Sequence, residues 1–350
     1  MMSSILRNRY PTAGHAPGAP GIAPSWTSSD KDLVGTAIGP SRLWFTLGHG
    51  IVNEVYYPRI DIPQIRDLGF IVADDAGFWV EVKRGGDYTL TVPAPGVPLP
   101  RITHRHPRFV LSLRLCPDAT RDVLLIDLAL EAEPNLRVYV LLAPHLGGTG
   151  RDNRAEAMMH RGQGVLWARQ GPFGLALLAR TADGEDAMGA ASAGYVGASD
   201  GWQDFAANGR MSWHYAEAGP GNVALMAEVA PRATLALGLA TSKHAAATLA
   251  RTALMQPFSR VHDQQAAAWR TGTRCASRPR RRTTCRPRCV RSSPARRRCS
   301  KPTATRPFRG QWWQACRSRG AIAAKNVAVT IWSGRAIWSS RRRRCWLWAA

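Results

Sequence analysis

Residues 41–75 hold the densest set of side chains that could bind a substrate. The stretch reads SRLWFTLGHGIVNEVYYPRIDIPQIRDLGFIVADD and combines arginines, carboxylates and aromatic rings within two predicted hairpins. Such a mixture suits sugar recognition, because aromatic faces stack on apolar ring faces while carboxylate and guanidinium groups take pairs of hydroxyls. The candidates for substrate binding or for a domain interface are Arg42, Trp44, Glu54, Tyr56, Tyr57, Arg59 and Asp61.

A structural interpretation of the same residues stays open beside the functional one. In it, Tyr56 and Tyr57 are interior or interface residues, and the charged candidates form ion pairs beneath them. No residue of the chain is predicted to be catalytic.

No metal or cofactor is predicted. His104 and His106 are expected in a turn flanked by prolines, His145 follows a proline, and no histidine pair has metal-ligand spacing with a nearby carboxylate. The glycine-rich stretch LGGTGRDN, residues 146–153, lacks the Lys-Ser/Thr of a phosphate-binding loop and is predicted to be a turn-rich loop.

Short apolar or alternating runs separated by Gly, Pro, Asp and Asn fill the chain from Trp26 to about Ala240, and they predict strands. No helical pattern is read between them, so a large antiparallel sandwich is favoured over a βαβ fold. The runs are FWVEVKR, RFVLSLRL, DVLLIDLALE, LRVYVLLAP, GVLWARQ, GLALLAR, NVALMAEVA and ATLALGLA.

The domain organisation predicted from these patterns has four parts. Residues 1–17 form a flexible arm rich in Pro, Gly and Ala, and residues 18–243 form the sandwich. Residues 244–271 switch to helical spacing and form a linker helix, with Pro257 as a kink or break. Residues 272–350 differ from everything before them.

The difference in the last segment is one of charge. The whole chain has a net charge of +23, but 25 of the 47 Lys and Arg residues and all 24 Asp and Glu residues lie before Gly272. The other 22 basic residues therefore lie in 272–350 without an acidic residue, together with six of the seven cysteines. The one earlier cysteine, Cys116, and the lack of a signal-peptide or membrane-spanning pattern predict a cytoplasmic protein.

Four long motifs in the first 270 residues resemble a known family. They are GAPGIAPSWTSSDKDLVGTA, the 41–75 stretch, LLAPHLGGTGRDNRA and AGYVGASDGWQDFAANGRMSWHYAEAGPGNVALMAEV. In this order they are similar to the N-terminal domain of bacterial glucoamylases and glucodextranases of glycoside hydrolase family 15. The resemblance implies an all-β supersandwich of the galactose-mutarotase-like kind, followed by a linker helix and an (α/α)6 barrel.

The same resemblance implies a function for the parent enzyme and not for this domain. The family hydrolyses terminal α-glucosidic bonds of α-glucans with inversion, using two glutamates of the barrel as acid and base. We therefore expect this chain to be a truncated form that holds only the non-catalytic domain and is inactive. Its expected partner, through the parent enzyme, is an α-glucan or oligosaccharide.

Residues 272–350 are consistent with a barrel segment translated out of frame. When the tail is read one base away from its frame, Gln311 to Gln314 permit the family string MVA, and the last residues permit GGYHLVWPRDL. The tail composition, rich in Arg, Pro, Cys and Trp, is typical of a G+C-rich gene in the wrong frame. We expect a disordered tail that binds polyanions nonspecifically.

Two other functions stay open from the sequence. The sandwich could act alone as a carbohydrate-binding or mutarotase-like domain, which a sugar affinity of the isolated domain would reveal. The arginine-rich tail with interleaved tryptophans is the pattern of a nucleic-acid-binding arm, although the out-of-frame interpretation predicts no specific nucleic acid partner. No membrane partner is predicted, because no apolar segment is long enough to span a bilayer.

Overall fold

The structure is a computed structural model that describes residues 14–27, 30–85, 87–277, 330–332 and 335–337. In chain order, the first strands are β1 (Leu33–Thr36), β2 (Trp44–Gly48), β3 (Ile51–Tyr56), β4 (Ile65–Ala73), β5 (Trp79–Glu81), β6 (Tyr88–Thr91), β7 (Arg101–His106), β8 (Phe109–Pro117), β9 (Val123–Ala132) and β10 (Arg137–Pro144). The later strands are β11 (Asn153–His160), β12 (Gln163–Gln170), β13 (Phe173–Arg180), β14 (Met188–Tyr195), β15 (Glu217–Gly221), β16 (Val223–Val229), β17 (Arg232–Ala240), β18 (Thr330–Trp332) and β19 (Arg335–Ile337). The helices are α1 (Val82–Gly85), α2 (Gly201–Asn208), α3 (Lys243–Ala253) and α4 (Phe258–Ser277).

Two large antiparallel sheets face each other across an apolar core. The 8-stranded sheet has the order β1-β2-β3-β4-β10-β16-β14, with β5 pairing β4. The 9-stranded sheet has the order β15-β11-β12-β13-β17-β9-β8-β7-β6. Their inner faces supply one continuous cluster of buried side chains. This is the antiparallel β-supersandwich that the sequence predicts.

Strand β9 explains why parts of the sequence read as unbroken apolar runs. Leu124, Ile126 and Leu128 point into the core between the sheets, and Val123 and Leu125 lie on the outer face of the nine-stranded sheet under the helices. Because successive side chains of a strand point to opposite faces, both sets are buried only when both faces are covered. The unbroken run VLLI therefore indicates that a third layer covers the outer face of this sheet.

Helices α3 and α4 form that third layer. The buried face of α3 is made of alanines, and the strand beneath it carries Gly238, where a Cβ would clash with the carbonyl oxygen of Ala246. This pair of small surfaces lets the helix approach the sheet closely. The helices are separated at Pro257, so the break predicted at that residue is confirmed.

Helix α2 covers part of the outer face of the eight-stranded sheet. Phe205 is fully buried there against Tyr139, with the ring centroids 5.1 Å apart. Asp200 caps the helix by accepting hydrogen bonds from the backbone N–H groups of Trp202 and Gln203. The prediction that no helix interrupts the strands was wrong at this point, and also at α1, which begins at Val82 within the predicted strand run FWVEVKR.

A second correction concerns the histidines of β7. His104 and His106 belong to a strand rather than to a turn, and the ring of His104 is buried with Nε2 2.8 Å from the carbonyl oxygen of Gly50. The prolines that flank this segment in the sequence lie just outside the strand, at positions where a missing N–H is tolerated. The 146–153 stretch contains a short 3-10 turn, Leu146–Gly148, in line with its predicted loop character.

The described part of the N-terminal segment runs along strand β15. The carbonyl oxygen of Gly14 accepts from the N–H groups of Ala216 and Glu217 at 2.9 and 3.2 Å, and Ala16 donates to the carbonyl oxygen of Glu217 at 2.8 Å. Most of the arm predicted for 1–17 lies outside the described residues, so its flexibility stays a prediction.

The predicted disorder of 272–350 likewise falls mostly outside the described residues. Within that segment, α4 extends to Ser277, and β18 and β19 pair antiparallel. Among the described residues, no helix has the length and apolar character needed to span a membrane.

Candidate functional site

The seven candidate residues lie on the β2–β3 hairpin and in the segments on either side of it. Trp44 and Tyr56 are opposite each other in the register of this hairpin. Phe45 and Val55 point into the core, so the alternation of the strands places Trp44, Glu54 and Tyr56 on the opposite, outer face of the sheet. Three separate sets of contacts then hold the candidates.

Glu54 forms the first set, which is buried. Its carboxylate lies 2.9 Å from Nζ of Lys31 and accepts a hydrogen bond of 2.8 Å from the hydroxyl of Tyr56. Thr46, across the hairpin, adds a hydroxyl at 3.3 Å. Only 2% of the Glu54 side chain is exposed, so this carboxylate is held inside the fold. Trp44, the remaining candidate on this face, is partly exposed.

Arg42 forms the second set, at the surface. Its Nε and Nη2 donate to Oδ2 of Asp122 at 3.2 and 2.6 Å, and Nη2 also donates to the hydroxyl of Tyr57 at 3.0 Å. The guanidinium carbon lies 4.8 Å from the centre of the Tyr57 ring. The hydrogen bonds that Arg42 donates to Asp122 raise the pKa of Arg42 above its ordinary value. With 55% of its side chain exposed, Arg42 is a fixed guanidinium that faces outward.

Arg59 and Asp61 form the third set, in the turn that follows β3. Two parallel hydrogen bonds join them, Nε to Oδ1 at 3.0 Å and Nη2 to Oδ2 at 2.6 Å. The exposed fractions of the side chains are 61% and 30%, so the pair is accessible. Gln64 supports the turn from below, donating to the carbonyl oxygen of Tyr57 at 2.5 Å and accepting from N–H of Gly147 at 3.0 Å.

A neighbouring carboxylate, Asp67, is also committed to ion pairs. Burial by itself would raise its pKa, but Arg66 at 3.3 Å and Lys83 at 3.0 Å hold the pKa of Asp67 below its ordinary value. The hydroxyl of Thr27 donates a further hydrogen bond at 3.1 Å. The described residues contain no group of three or more His, Cys, Asp or Glu side chains arranged to hold a metal ion.

The geometry therefore brings the candidates together as neighbours but not as one reaction centre. Arg42, Tyr57, Arg59 and Asp61 form an accessible surface, which we call the arginine face, whereas Glu54 and Tyr56 belong to a buried network. The contacts match the structural interpretation of these charges as ion pairs.

A model of a known family matches the part of the chain that holds these residues. The profile described as "Glucodextranase, domain N" matches residues 16–272. The chain belongs to the glucodextranase domain N family. The matched region contains both sheets and ends within α4.

One relative of this glucodextranase domain N chain and one solved structure of similar fold carry glucoamylase names. A protein named "Glucoamylase" from Clostridium sp. (strain G0005) is 27% identical over 241 residues, which are 65% of this chain and 32% of the relative. A crystal structure of a bacterial glucoamylase complexed with acarbose superposes with a TM-score of 0.70 at 24% identity, covering 77% of this chain and 40% of that chain. The chain thus spans about a third of the curated relative, and the structural likeness shows the shared sandwich fold.

Sequence reasoning missed the residues that complete the site. Lys31, the partner of Glu54, precedes the 41–75 stretch in the sequence. Asp122, the partner of Arg42, follows that stretch and lies far from Arg42 in the sequence. Gln265 of α4 was missed as well. It is 2% exposed, and its amide accepts from N–H of Ile38 at 2.9 Å and donates to the carbonyl oxygen of Ile38 at 3.2 Å. A glutamine that shares the helical spacing of Phe258, Val261 and Trp269 was the available signal for this contact.

Proposed function

We propose that this chain is the non-catalytic N-terminal domain of an exo-acting glucosidase. The parent enzyme hydrolyses terminal α-glucosidic bonds of α-glucans with inversion, and its catalytic part follows α4. Membership of the glucodextranase domain N family and the glucoamylase names of the relatives support this proposal. The chain's span of about a third of the curated relative leaves the larger part of such an enzyme for the chemistry.

The carboxylates of the candidate site support a non-catalytic role for the sandwich. Inverting hydrolysis requires an acid and a base about 6.5–9.5 Å apart with room for a water molecule between them. Glu54 is instead buried against Lys31, and Asp61 is held by Arg59 in a two-point pair. Both carboxylates are engaged as acceptors and stabilise the hairpin and its turn.

The observation that most directly supports a domain interface is the contact between Gln265 and Ile38. The two hydrogen bonds of the Gln265 amide fix α4 against the segment that leads from β1 to Arg42. About two turns further along α4, a Cβ at Gly272 would lie 3.4 Å from Cδ1 of Ile38. Helix α4 is therefore held against the segment that leads to Arg42, and we assign the arginine face to contact with the domain that follows.

The last part of the proposal concerns residues 272–350. We infer that they are read one base out of frame, because they hold 22 basic residues and no acidic one while permitting family motifs in the alternate frame. Sequencing the codons for Arg270 to Cys275 tests this directly. A single inserted or deleted base is expected there, and stop codons in the alternate frame before GGYHLVWPRDL would refute it.

Restoring the frame tests the function. The restored enzyme is expected to release β-glucose from maltooligosaccharides, and the 350-residue chain is expected to release none. Glu54→Gln and Asp61→Asn in the restored enzyme should leave the catalytic rate of the folded protein unchanged. Glucose release by the 350-residue chain that these substitutions abolish would move the active site into the sandwich and overturn the assignment.

The interface has its own test. In the restored enzyme, Arg59→Glu places a carboxylate on the arginine face and is expected to lower the melting temperature more than it does in the 350-residue chain. Arg101→Glu, an exposed arginine on β7, is the matched control and should have the same small effect in both proteins. Equal effects of Arg59→Glu in the two proteins would remove the arginine face from the interface.

A further inference from the structure

The first turn of α3 meets the nine-stranded sheet through three rings. The indole of Trp167 on β12 lies 4.9 Å from the ring of His160 on β11 and 5.1 Å from the ring of His244 on α3, measured between centroids. The two imidazoles are 5.9 Å apart. Trp167 is only 2% exposed, so this cluster closes the gap between the start of the helix and the sheet.

Positive charges surround the cluster. The ammonium group of Lys243 lies 4.8 Å from the centre of the Trp167 ring and pairs with Glu156 of β11. Glu156 also faces Arg169 of β12, with Oε1 3.9 Å from Nε. The carboxylate nearest the cluster is thus already shared between two cations.

Two further arginines act on His160 itself. Arg161 follows it directly at the end of β11, and Arg251 of α3 donates to its carbonyl oxygen at 2.9 Å. Burial, and then the charges of Arg161, Arg251, His244 and Lys243, hold the pKa of His160 below its ordinary value. The ring is therefore neutral at neutral pH, and a proton added in acid would join an existing group of cations.

The rest of α3 offers little to resist that repulsion. Its buried residues are Ala246, Ala247, Ala250 and Ala253, whose small side chains bury little apolar area per residue. Lys243 and His244 also stand at the N-terminus of the helix, where positive charge opposes the helix dipole. The first turn depends on the ring cluster more than the second half of the helix does.

We propose that this cluster is an acid-sensitive latch, in which protonation of His160 releases the first turns of α3 from the nine-stranded sheet while the two sheets stay folded. The latch rests on the fold alone and does not depend on the proposed enzymatic function. The latch controls how firmly the layer of α3 and α4 packs on the nine-stranded sheet.

Hydrogen exchange of the 350-residue chain tests the latch. After correction for the intrinsic pH dependence of exchange, the opening equilibrium of 243–253 relative to β13 is expected to rise between pH 7.5 and pH 5.0. The rise should be about tenfold for each unit by which the pKa of His160 in the open form exceeds its pKa in the closed form. His160→Gln should abolish this rise. His49→Asn, a substitution at an exposed histidine outside the cluster, should retain it.

A second variant keeps the test decisive if His160→Gln fails to fold. Arg161 has a φ of 55°, a conformation that asparagine tolerates, so Arg161→Asn removes one cation with little strain. The rise of its opening equilibrium between pH 7.5 and pH 5.0 should be smaller than in the parent chain, because protonated His160 meets less repulsion in the closed form. No rise in α3 exchange at pH 5.0, a rise that survives in His160→Gln, or an undiminished rise in Arg161→Asn would overturn the proposal.

Discussion

The ammonium group of Lys31 and the carboxylate of Glu54 meet inside the protein, with Nζ 2.9 Å from Oε2. The exposed fractions of the two side chains are 8% and 2%, so water screens this pair very little. Tyr56 donates a hydrogen bond to the same carboxylate oxygen. The pair joins the segment before β1 to the β2–β3 hairpin.

Removing one member of this pair is expected to cost far more than removing both. Glu54→Gln should lower the free energy of unfolding by about 3–5 kcal/mol, because it leaves the ammonium group of Lys31 buried without its carboxylate. The double variant Lys31→Met, Glu54→Leu should recover most of that loss. Urea denaturation measures both.

The exposed pair supplies the control for this prediction. Asp61→Asn breaks the contact with Arg59 in a solvated turn and should change the free energy of unfolding by at most about 1 kcal/mol. Equal costs for Glu54→Gln and Asp61→Asn would show that burial of the first pair has no energetic consequence.

Acid should weaken the sandwich through His104. Burial lowers the pKa of this ring, while the hydrogen bond with Gly50 opposes the shift. Since the unfolded chain binds the proton near pH 6.5, the stability conferred by neutral His104 is complete above that pH and is lost as the pH falls below it. Urea denaturation at pH 7.5 and pH 5.5 should show a smaller loss in His104→Gln than in the parent chain, and an identical loss would contradict the assignment.

The N-caps of α2 and α3, Asp200 and Ser242, should contribute different amounts to the free energy of unfolding. Asp200 accepts from the N–H groups of Gly197, Trp202 and Gln203 and is 4% exposed, whereas Ser242 accepts from Ala245 alone and is exposed. Asp200→Ala is therefore expected to cost more than the roughly 1 kcal/mol typical of a single surface cap such as Ser242→Ala. Asp200→Asn, which keeps an acceptor, should recover part of the loss in thermal unfolding. A larger effect of Ser242→Ala would be inconsistent with these contacts.

Gln265 should control how firmly α4 is held. Gln265→Ala leaves the N–H and C=O groups of Ile38 unpaired under the helix, at a cost of about 1–3 kcal/mol. Hydrogen exchange of 258–272 should increase relative to β13. The adjacent Gln264 is exposed, so Gln264→Ala should leave exchange unchanged, and similar behaviour of the two variants would remove the role assigned to Gln265.

Strands that carry large apolar residues could be predicted from the sequence, and strands built from small residues could not. Strand β9 can be recognised from the sequence because Leu and Ile recur on both of its faces. Strand β14, Met188–Tyr195, reads MGAASAGY and has neither β-branched residues nor alternation. It is buried because its neighbours pack closely, as at Gly194, where a Cβ would clash with the carbonyl oxygen of Ser199. Tertiary packing rather than local preference makes it a strand.

The candidate site divides in the same way. The sequence could place Arg42, Glu54 and Arg59 in one hairpin region, because all three are local to it. It could not pair Arg42 with Asp122, which lies 80 residues away, because that contact depends on how the two sheets are joined. The one charge pair that local spacing makes easy, Arg59 with Asp61, is also the most exposed of the three.

Residues 14–16, which run along β15, protect an edge of the nine-stranded sheet from pairing with strands of other chains. β15 is the last strand of the nine-stranded sheet, and its outer hydrogen-bonding groups would otherwise be open at Glu217. An uncovered edge of this sort recruits strands from other chains and begins aggregation. Proteolytic cleavage just after Ala16 would uncover that edge with the loss of only one small side chain from the core, so this short contact affects the resistance of the protein to aggregation more than its folding.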